Sequence, residues 1–180
     1  MFVRQNFKNK NLWHESSKEY IAFKSLKTFV TSDIAIIGGG YTGCSAALFA
    51  ANNGLSVSLI DQKIGHGGSG RNVGLVNAGL WLPPEKVENI LGVDAGSKLN
   101  KALAKTPDLV FDLIDKYDIK CSANRSGTLH CAHSQNGLKD IQKRYQQLST
   151  RGAELELLDK QQTNQRIGSS KFFGALFNKS

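Results

Sequence analysis

The residues with the plainest chemical purpose are glycines. Gly38-Gly39-Gly40-Tyr41-Thr42-Gly43 fits the pattern G-x-G-x-x-G. In front of it lies Asp33-Ile34-Ala35-Ile36-Ile37, a short and nearly all-apolar run, as a buried parallel strand requires. Behind it, Tyr41 to Asn53 is rich in Ala and free of Pro, which predicts a helix that Gly54 closes. A glycine turn between such a strand and such a helix suits a pyrophosphate. Gly38 allows the tight turn out of the strand. Gly40 has no Cβ, so a phosphate can approach the backbone. Gly43 lets the helix lie close against the sheet. The first-turn N–H groups near Tyr41 and Thr42 have no helical acceptors, and they point at the phosphate with the positive end of the helix dipole.

Asp61 completes the pattern. It ends a second apolar run, Ser56–Ile60, 23 positions after Gly38. A carboxylate there can accept hydrogen bonds from a ribose diol and disfavours a 2′-phosphate, which argues against NADP. Gln62 stands beside it and joins the candidate cofactor contacts. The plainer account makes Gly38–Gly43 a tight turn and Asp61 a solvent-facing strand end. Strand, loop, helix, strand and acid all in register favour the nucleotide. This fingerprint by itself does not separate FAD from NAD.

A second glycine loop bears on that choice. Gly65-His66-Gly67-Gly68-Ser69-Gly70-Arg71-Asn72-Val73-Gly74 follows the second strand, and six of the fifteen residues from Gly65 to Gly79 are Gly. An NAD domain has no need of such a segment, whereas an FAD must be tracked past the first loop toward its ring. Here the sequence resembles the D-amino-acid-oxidase-like family of FAD-dependent oxidoreductases, which includes glycine and sarcosine oxidases. The matching residues are Ile36–Gly43 and Gly68-Ser69-Gly70-Arg71-Asn72-Val73-Gly74, and the upstream Leu12-Trp13-His14 looks most like the gamma-glutamylputrescine oxidase branch. The resemblance is strong over about 33–80 and looser to Leu176.

The resemblance implies FAD as cofactor, with Ser69, Gly70, Arg71 and Asn72 lining the pyrophosphate and the approach to the flavin. Arg71 would offset phosphate charge; bonding of loop carbonyls is its plainer role. It also implies oxidation of a C–N bond in a small-molecule amine or amino acid, by hydride transfer to flavin. The family's substrate sheet and C-terminal flavin motif are not found in this sequence, so it looks like the front portion of a longer chain. No catalytic base is assigned.

The remaining elements must position these loops. The expected fold is α/β: a Rossmann-like βαβ unit over 31–84, preceded by an irregular arm over 1–30 and followed over 85–180 by helices and the start of an α+β substrate domain. Leu12-Trp13 is expected to anchor the arm. Pro83-Pro84 ends the glycine region. Glu85–Tyr117 reads as helical, with a fresh helix from Pro107. Ile119–Ser122 and Thr128–Ala132 read as a strand pair around Asn124–Gly127. Leu138–Thr150 reads as a helix, Ala153–Leu157 as a strand, and Lys171–Asn178 as the start of an apolar element. With only two plain strands in the nucleotide unit, Ile34, Ile36, Val57 and Leu59 are expected to stay partly exposed.

Composition narrows the function classes. Hydrophobic residues make up 40% and charged residues 21%, as in a globular protein. No apolar run reaches the length of a membrane helix and no signal peptide is evident, so a cytoplasmic protein with no membrane partner is expected. Three cysteines fit a reducing compartment. Half of the net charge of +8 lies in Met1–Val30, and the remaining charges are scattered without a basic, aromatic-laced stripe, so no nucleic-acid partner is expected. His130-Cys131-Ala132-His133 lacks a second ligand pair, and no metal is expected. His66 is a loop histidine rather than a covalent flavin link, Cys44 a small packed residue, and the series Asp108, Asp112, Asp115, Asp118 a solvated helix face. Two other readings stay open: an NAD-binding dehydrogenase module, and a non-catalytic truncated remnant or a chain that works with a separately encoded C-terminal half.

Overall fold

Two mainly apolar runs of four residues, the second interrupted by Ser58, make the first sheet. Strands β1 (Ile34–Ile37) and β2 (Val57–Ile60) pair in parallel, with Ile34 opposite Val57 and Ile37 opposite Ile60. Parallel pairing needs a crossover, and helix α2 (Tyr41–Asn52) supplies it. Gly54, at φ +81°, turns the chain out of α2. Asp33 and Ser56 staple the strand entrances together: the Ser56 hydroxyl and N–H both donate to the Asp33 carboxylate, at 2.6 and 2.8 Å, and the Asp33 N–H donates to the Ser56 hydroxyl oxygen at 3.0 Å.

In this computed structural model the described residues are 11–17 and 23–180. They form two compact units, 1–75 and 76–180. Most of the polar stretch Gln5–Asn11 lies outside the described residues. The arm is not wholly irregular: Leu12–Ser16 forms a short helix, α1, capped by the Asn11 side chain, which accepts the His14 N–H at 2.7 Å.

The second unit opens with three helices: α3 (Pro84–Leu91), α4 (Val93–Ala104) and α5 (Thr106–Lys116). Pro84 does not merely stop the preceding loop. It occupies the first turn of α3, where its missing N–H costs nothing. Pro107 sits in the same way at the start of α5. Gly96 lets α4 close on α3, since a Cβ there would lie 2.5 Å from the Glu88 Cα.

A three-stranded antiparallel sheet follows, in the order β3 (Thr128–Ala132), β5 (Gly174–Asn178), β4 (Leu155–Leu158). The hairpin expected between Ile119–Ser122 and Thr128–Ala132 does not form. Asp118 and Ser122 both take positive φ, 49° and 54°, and the Cys121 N–H bonds the Ile119 carbonyl. That backbone is turned, not extended. The partner of β3 is instead β5, more than forty residues on, with His130 opposite Leu176. Helices α6 (Gln135–Ser149) and α7 (Lys160–Ile167) pack on this sheet. Its core is Ala132, Leu158, Ala175 and Leu176.

Candidate nucleotide-binding site

The end of β1, the start of α2 and the end of β2 meet at one place. Gly38 has φ +107°, and its N–H donates to the Ile60 carbonyl at 2.8 Å. A side chain at that φ would be strained, so the turn out of β1 depends on glycine. Gly43 answers a different need. A Cβ on it would land on the Gly38 carbonyl oxygen, so α2 can begin here only without one.

Asp61 stands directly after β2. Its Oδ2 accepts the Gly39 N–H at 2.6 Å and its Oδ1 accepts the Lys63 N–H at 2.7 Å. The Gly39 bond, then the Lys63 bond, hold its carboxyl below the usual carboxylate range. Asp61 therefore braces the glycine turn as well as facing solvent. A carboxylate has about four acceptor positions, and two are filled, which leaves room for a diol. Gln62, beside it, is exposed and makes no hydrogen bond among the described residues.

The second glycine loop closes over the start of α2. It contains one 3₁₀ turn, Gly68–Arg71. The Ser69 hydroxyl oxygen accepts the Tyr41 N–H at 3.1 Å, and a Cβ on Gly40 would sit 2.9 Å from that oxygen. Gly40 thus has a second reason to be glycine, close approach of Ser69, besides the phosphate access expected for it. Gly70 is packed against the Gly65 backbone, on which a Cβ would intrude. Asn72 ties the loop together. Its amide donates to the Tyr41 hydroxyl and to the Ser69 carbonyl, and its Oδ1 accepts the Gly74 N–H at 2.7 Å.

Several donors remain open. The N–H groups of Gly40, Thr42 and Gly43 meet no acceptor among the described residues. Arg71 is exposed and forms neither an ion pair nor a bond to a loop carbonyl among the described residues. The plainer role weighed for it, bonding loop carbonyls, is not seen. Unfilled backbone donors at a helix start, a hydroxyl and a guanidinium suit a pyrophosphate, which only accepts. One acid at the end of the neighbouring strand suits a sugar diol, which donates. The residues present fit the nucleotide half of a dinucleotide cofactor.

Other candidates fall elsewhere. Cys44 is not packed away: it is exposed, and its thiol donates to the Gly39 carbonyl at 3.5 Å. His66 is half-buried with its ring 5.5 Å from that of His14. Burial, then the nearby charges of Lys63, His14 and Arg71, lower its pKa. His130 lies on β3 against Trp81, its pKa lowered by burial and then by Arg144, while His133 lies past the strand end. No cluster of His, Cys, Asp and Glu suited to a metal occurs among the described residues. Asp108 and Asp118 are exposed and pair with Arg125 and Lys120. No helix among the described residues is long and apolar enough to cross a membrane.

Comparison with known proteins decides the lineage. The family model described as FAD dependent oxidoreductase, the DAO family, matches residues 33–180. The chain belongs to that family. Gamma-glutamylputrescine oxidoreductase of Escherichia coli is 30% identical over 167 residues, covering 92% of this chain and 39% of the relative. Two solved structures share the fold. Glycine oxidase from Geobacillus kaustophilus matches with TM-score 0.64 and 19% identity, over 82% of this chain and 39% of that one. Glycine oxidase from Bacillus cereus matches with TM-score 0.61 and 21% identity, over 83% of this chain and 39% of that one. This chain thus spans about 39% of the length of these relatives. Its DAO-family membership and mixed α/β fold agree with the resemblance read from the two glycine loops.

The sequence did not reveal one part of the site. Trp13 lies on α1, and its indole N–H donates to the Asn72 carbonyl at 2.8 Å. The anchor expected at Leu12-Trp13 is Trp13 alone, since Leu12 is 69% exposed. The arm also carries Phe2, Phe7, Tyr20, Phe23 and Phe29, and nothing in the sequence says which aromatic docks or on which loop.

Proposed function

We propose that this chain binds FAD and forms the nucleotide-binding part of an oxidoreductase acting on the C–N bond of an amine or amino acid. The observation that carries the cofactor choice is the Ser69 hydroxyl on the Tyr41 N–H. It joins the second glycine loop to the phosphate loop, so both glycine segments serve one site. An NAD module would leave Gly65–Gly74 free of that duty.

The work of the chain's own residues is binding and orientation. The N–H groups of Gly40, Tyr41, Thr42 and Gly43 face the pyrophosphate, with Ser69 sharing the Tyr41 donor. Arg71 offsets phosphate charge. Asp61 accepts from the ribose diol, with Gln62 beside it. Gly70 and Asn72 hold the loop that bears Ser69. The chemistry that a bound flavin supplies is acceptance of hydride from the carbon next to the substrate nitrogen. The amine or amino-acid class rests on likeness to the oxidases named above, and gamma-glutamylated amines, glycine and N-methyl amino acids are the first substrates to try.

Titration with FAD and with NAD, for the protein and for Ser69→Ala, tests the cofactor. FAD should bind tighter than NAD, and Ser69→Ala should weaken FAD by about fivefold, one hydrogen bond's worth, without changing NAD. NAD bound more tightly, with Ser69→Ala indifferent, would replace the proposal with the dehydrogenase reading. For the reaction, FAD-loaded protein is mixed anaerobically with these amines and, separately, with 2-hydroxy acids. Bleaching by amines alone supports C–N oxidation; bleaching by hydroxy acids alone contradicts it.

A further inference from the structure

The second glycine loop has little of its own to hold it. Five of the ten residues from Gly65 to Gly74 are glycine, and glycine loses the most backbone freedom on ordering. Within it, the Gly70 N–H bonds the Gly67 carbonyl at 3.2 Å, and Asn72 bridges Ser69 and Gly74. Tyr41 holds it from the start of α2, through the Ser69 and Asn72 side chains, and the His66 N–H bonds the Lys63 carbonyl at 3.3 Å. Further restraints come from α1 and its N-cap Asn11, more than fifty residues earlier. The Asn11 side-chain amide donates to the Gly65 carbonyl at 3.0 Å, at one end of the loop. Trp13 donates to the Asn72 carbonyl at 2.8 Å, at the other end. Its indole lies where a Cβ on Gly74 would be, 2.9 Å away. Gly74 has φ +77°, so this position requires glycine for both its backbone and its neighbour. The His14 ring stands tilted against His66, in between.

We propose that the segment Asn11–His14 is a clasp that sets the shape of the Gly65–Gly74 loop, and that Trp13 is a positioning residue for the cofactor site. Among the described residues, no hydrogen bond joins the Trp13 side chain to the phosphate loop itself. Trp13 fixes the Asn72 backbone, Asn72 holds Ser69 and the Tyr41 ring, and Ser69 takes the Tyr41 N–H. Each link is a single hydrogen bond, so a loosened first link frees the Ser69 hydroxyl from the start of α2. The positioning role rests on the FAD reading above; the clasp on the loop does not.

Two readouts keep these apart. The first is tryptic cleavage after Arg71 in cofactor-free protein, which reports loop order with no flavin present. The second is the FAD dissociation constant. Trp13→Phe keeps most of the ring and removes the donor, Trp13→Ala removes both, and Leu12→Ala is the control on the same helix. Cleavage after Arg71 should speed up about fivefold in Trp13→Phe, the loss of one hydrogen bond, and further in Trp13→Ala, with Leu12→Ala unchanged. FAD affinity should fall in the same order while the thermal midpoint of the second unit stays put. Unchanged cleavage in Trp13→Ala would overturn the clasp, whatever flavin does. Faster cleavage with unchanged FAD affinity would overturn the positioning role of Trp13. Failure of the unaltered protein to bind FAD would overturn the cofactor reading and the positioning role with it, while the cleavage result would still decide the clasp.

Discussion

At the scale of single residues, the site separates glycines that are needed from glycines that are not. Gly43 and Gly68 belong to the two glycine motifs and look alike in sequence. A Cβ on Gly43 would strike the Gly38 carbonyl, whereas a Cβ on Gly68 would meet open space. Gly43→Ala should therefore lower stability by about 3 kcal/mol, the upper part of the usual overpacking cost, and Gly68→Ala by about 0.5 kcal/mol or less, as for surface changes. Urea denaturation of both variants checks this, and equal losses would refute the close approach of α2 to β1. Asp61 carries two duties, bracing Gly39 and facing a diol. Asp61→Asn keeps one acceptor oxygen but sets its amide against a backbone N–H. It should weaken FAD by about tenfold, as for a lost bond to a charged acceptor, and speed amide exchange at Gly39. Weaker binding with unaltered Gly39 exchange would leave Asp61 as a ribose ligand alone.

At the scale of elements, the parallel pair β1–β2 depends on its Asp33–Ser56 staple. The Ser56 hydroxyl, then its N–H, hold the Asp33 carboxyl below the usual range, as the Gly39 and Lys63 N–H groups hold Asp61. A carboxyl lowered in the folded state adds stability that is complete above its unfolded pKa, about 4. That stability is lost as pH falls through the folded value. The first unit should thus lose stability on acidification below about pH 4, and Asp33→Asn should flatten that loss. Thermal melts across this range, followed by circular dichroism, give the answer; equal acid sensitivity in Asp33→Asn and the unaltered protein would remove the staple from the account.

The elements also show what a sequence can and cannot reveal. Strand, glycine turn, helix and acid from Asp33 to Asp61 were legible because their partners are local and each glycine has a fixed steric task. The β3–β5 pairing was not. Ile119–Ser122 carries a strand-like composition, and the positive φ at Asp118 and Ser122 that breaks it belongs to residues that seldom take such angles. Helix α7 carries its signal in the sequence, at its N-terminal cap. Asp159 and Gln162 form a capping box, with Asp159 accepting the Gln162 N–H at 2.8 Å and Gln162 accepting the Asp159 N–H at 3.0 Å, and the D-x-x-Q spacing stands in the sequence. The clasp by Trp13 was not legible, since it joins segments about sixty residues apart through a backbone carbonyl.

At the scale of the whole molecule, the first unit exposes much apolar surface. Its sheet has two strands among the described residues, and Ile34, Ile36, Val57 and Leu59 are only half-buried. Ile37 is 90% exposed, and Phe29 and Phe49 are also exposed. Patches of this kind favour association. The 180-residue chain should self-associate as its concentration rises, in light scattering or sedimentation, and a monomer at all concentrations would contradict that. The second unit, with its buried Ala175 and Leu176, should melt separately and at higher temperature in calorimetry.

The central claim is that both glycine loops form one FAD cradle, and the visible absorbance of the purified 180-residue chain, with and without added FAD, tests it most directly. The account predicts a protein-bound flavin spectrum in the presence of FAD that weakens in Ser69→Ala. A folded chain with no bound flavin, but with measurable binding of NAD, would contradict it.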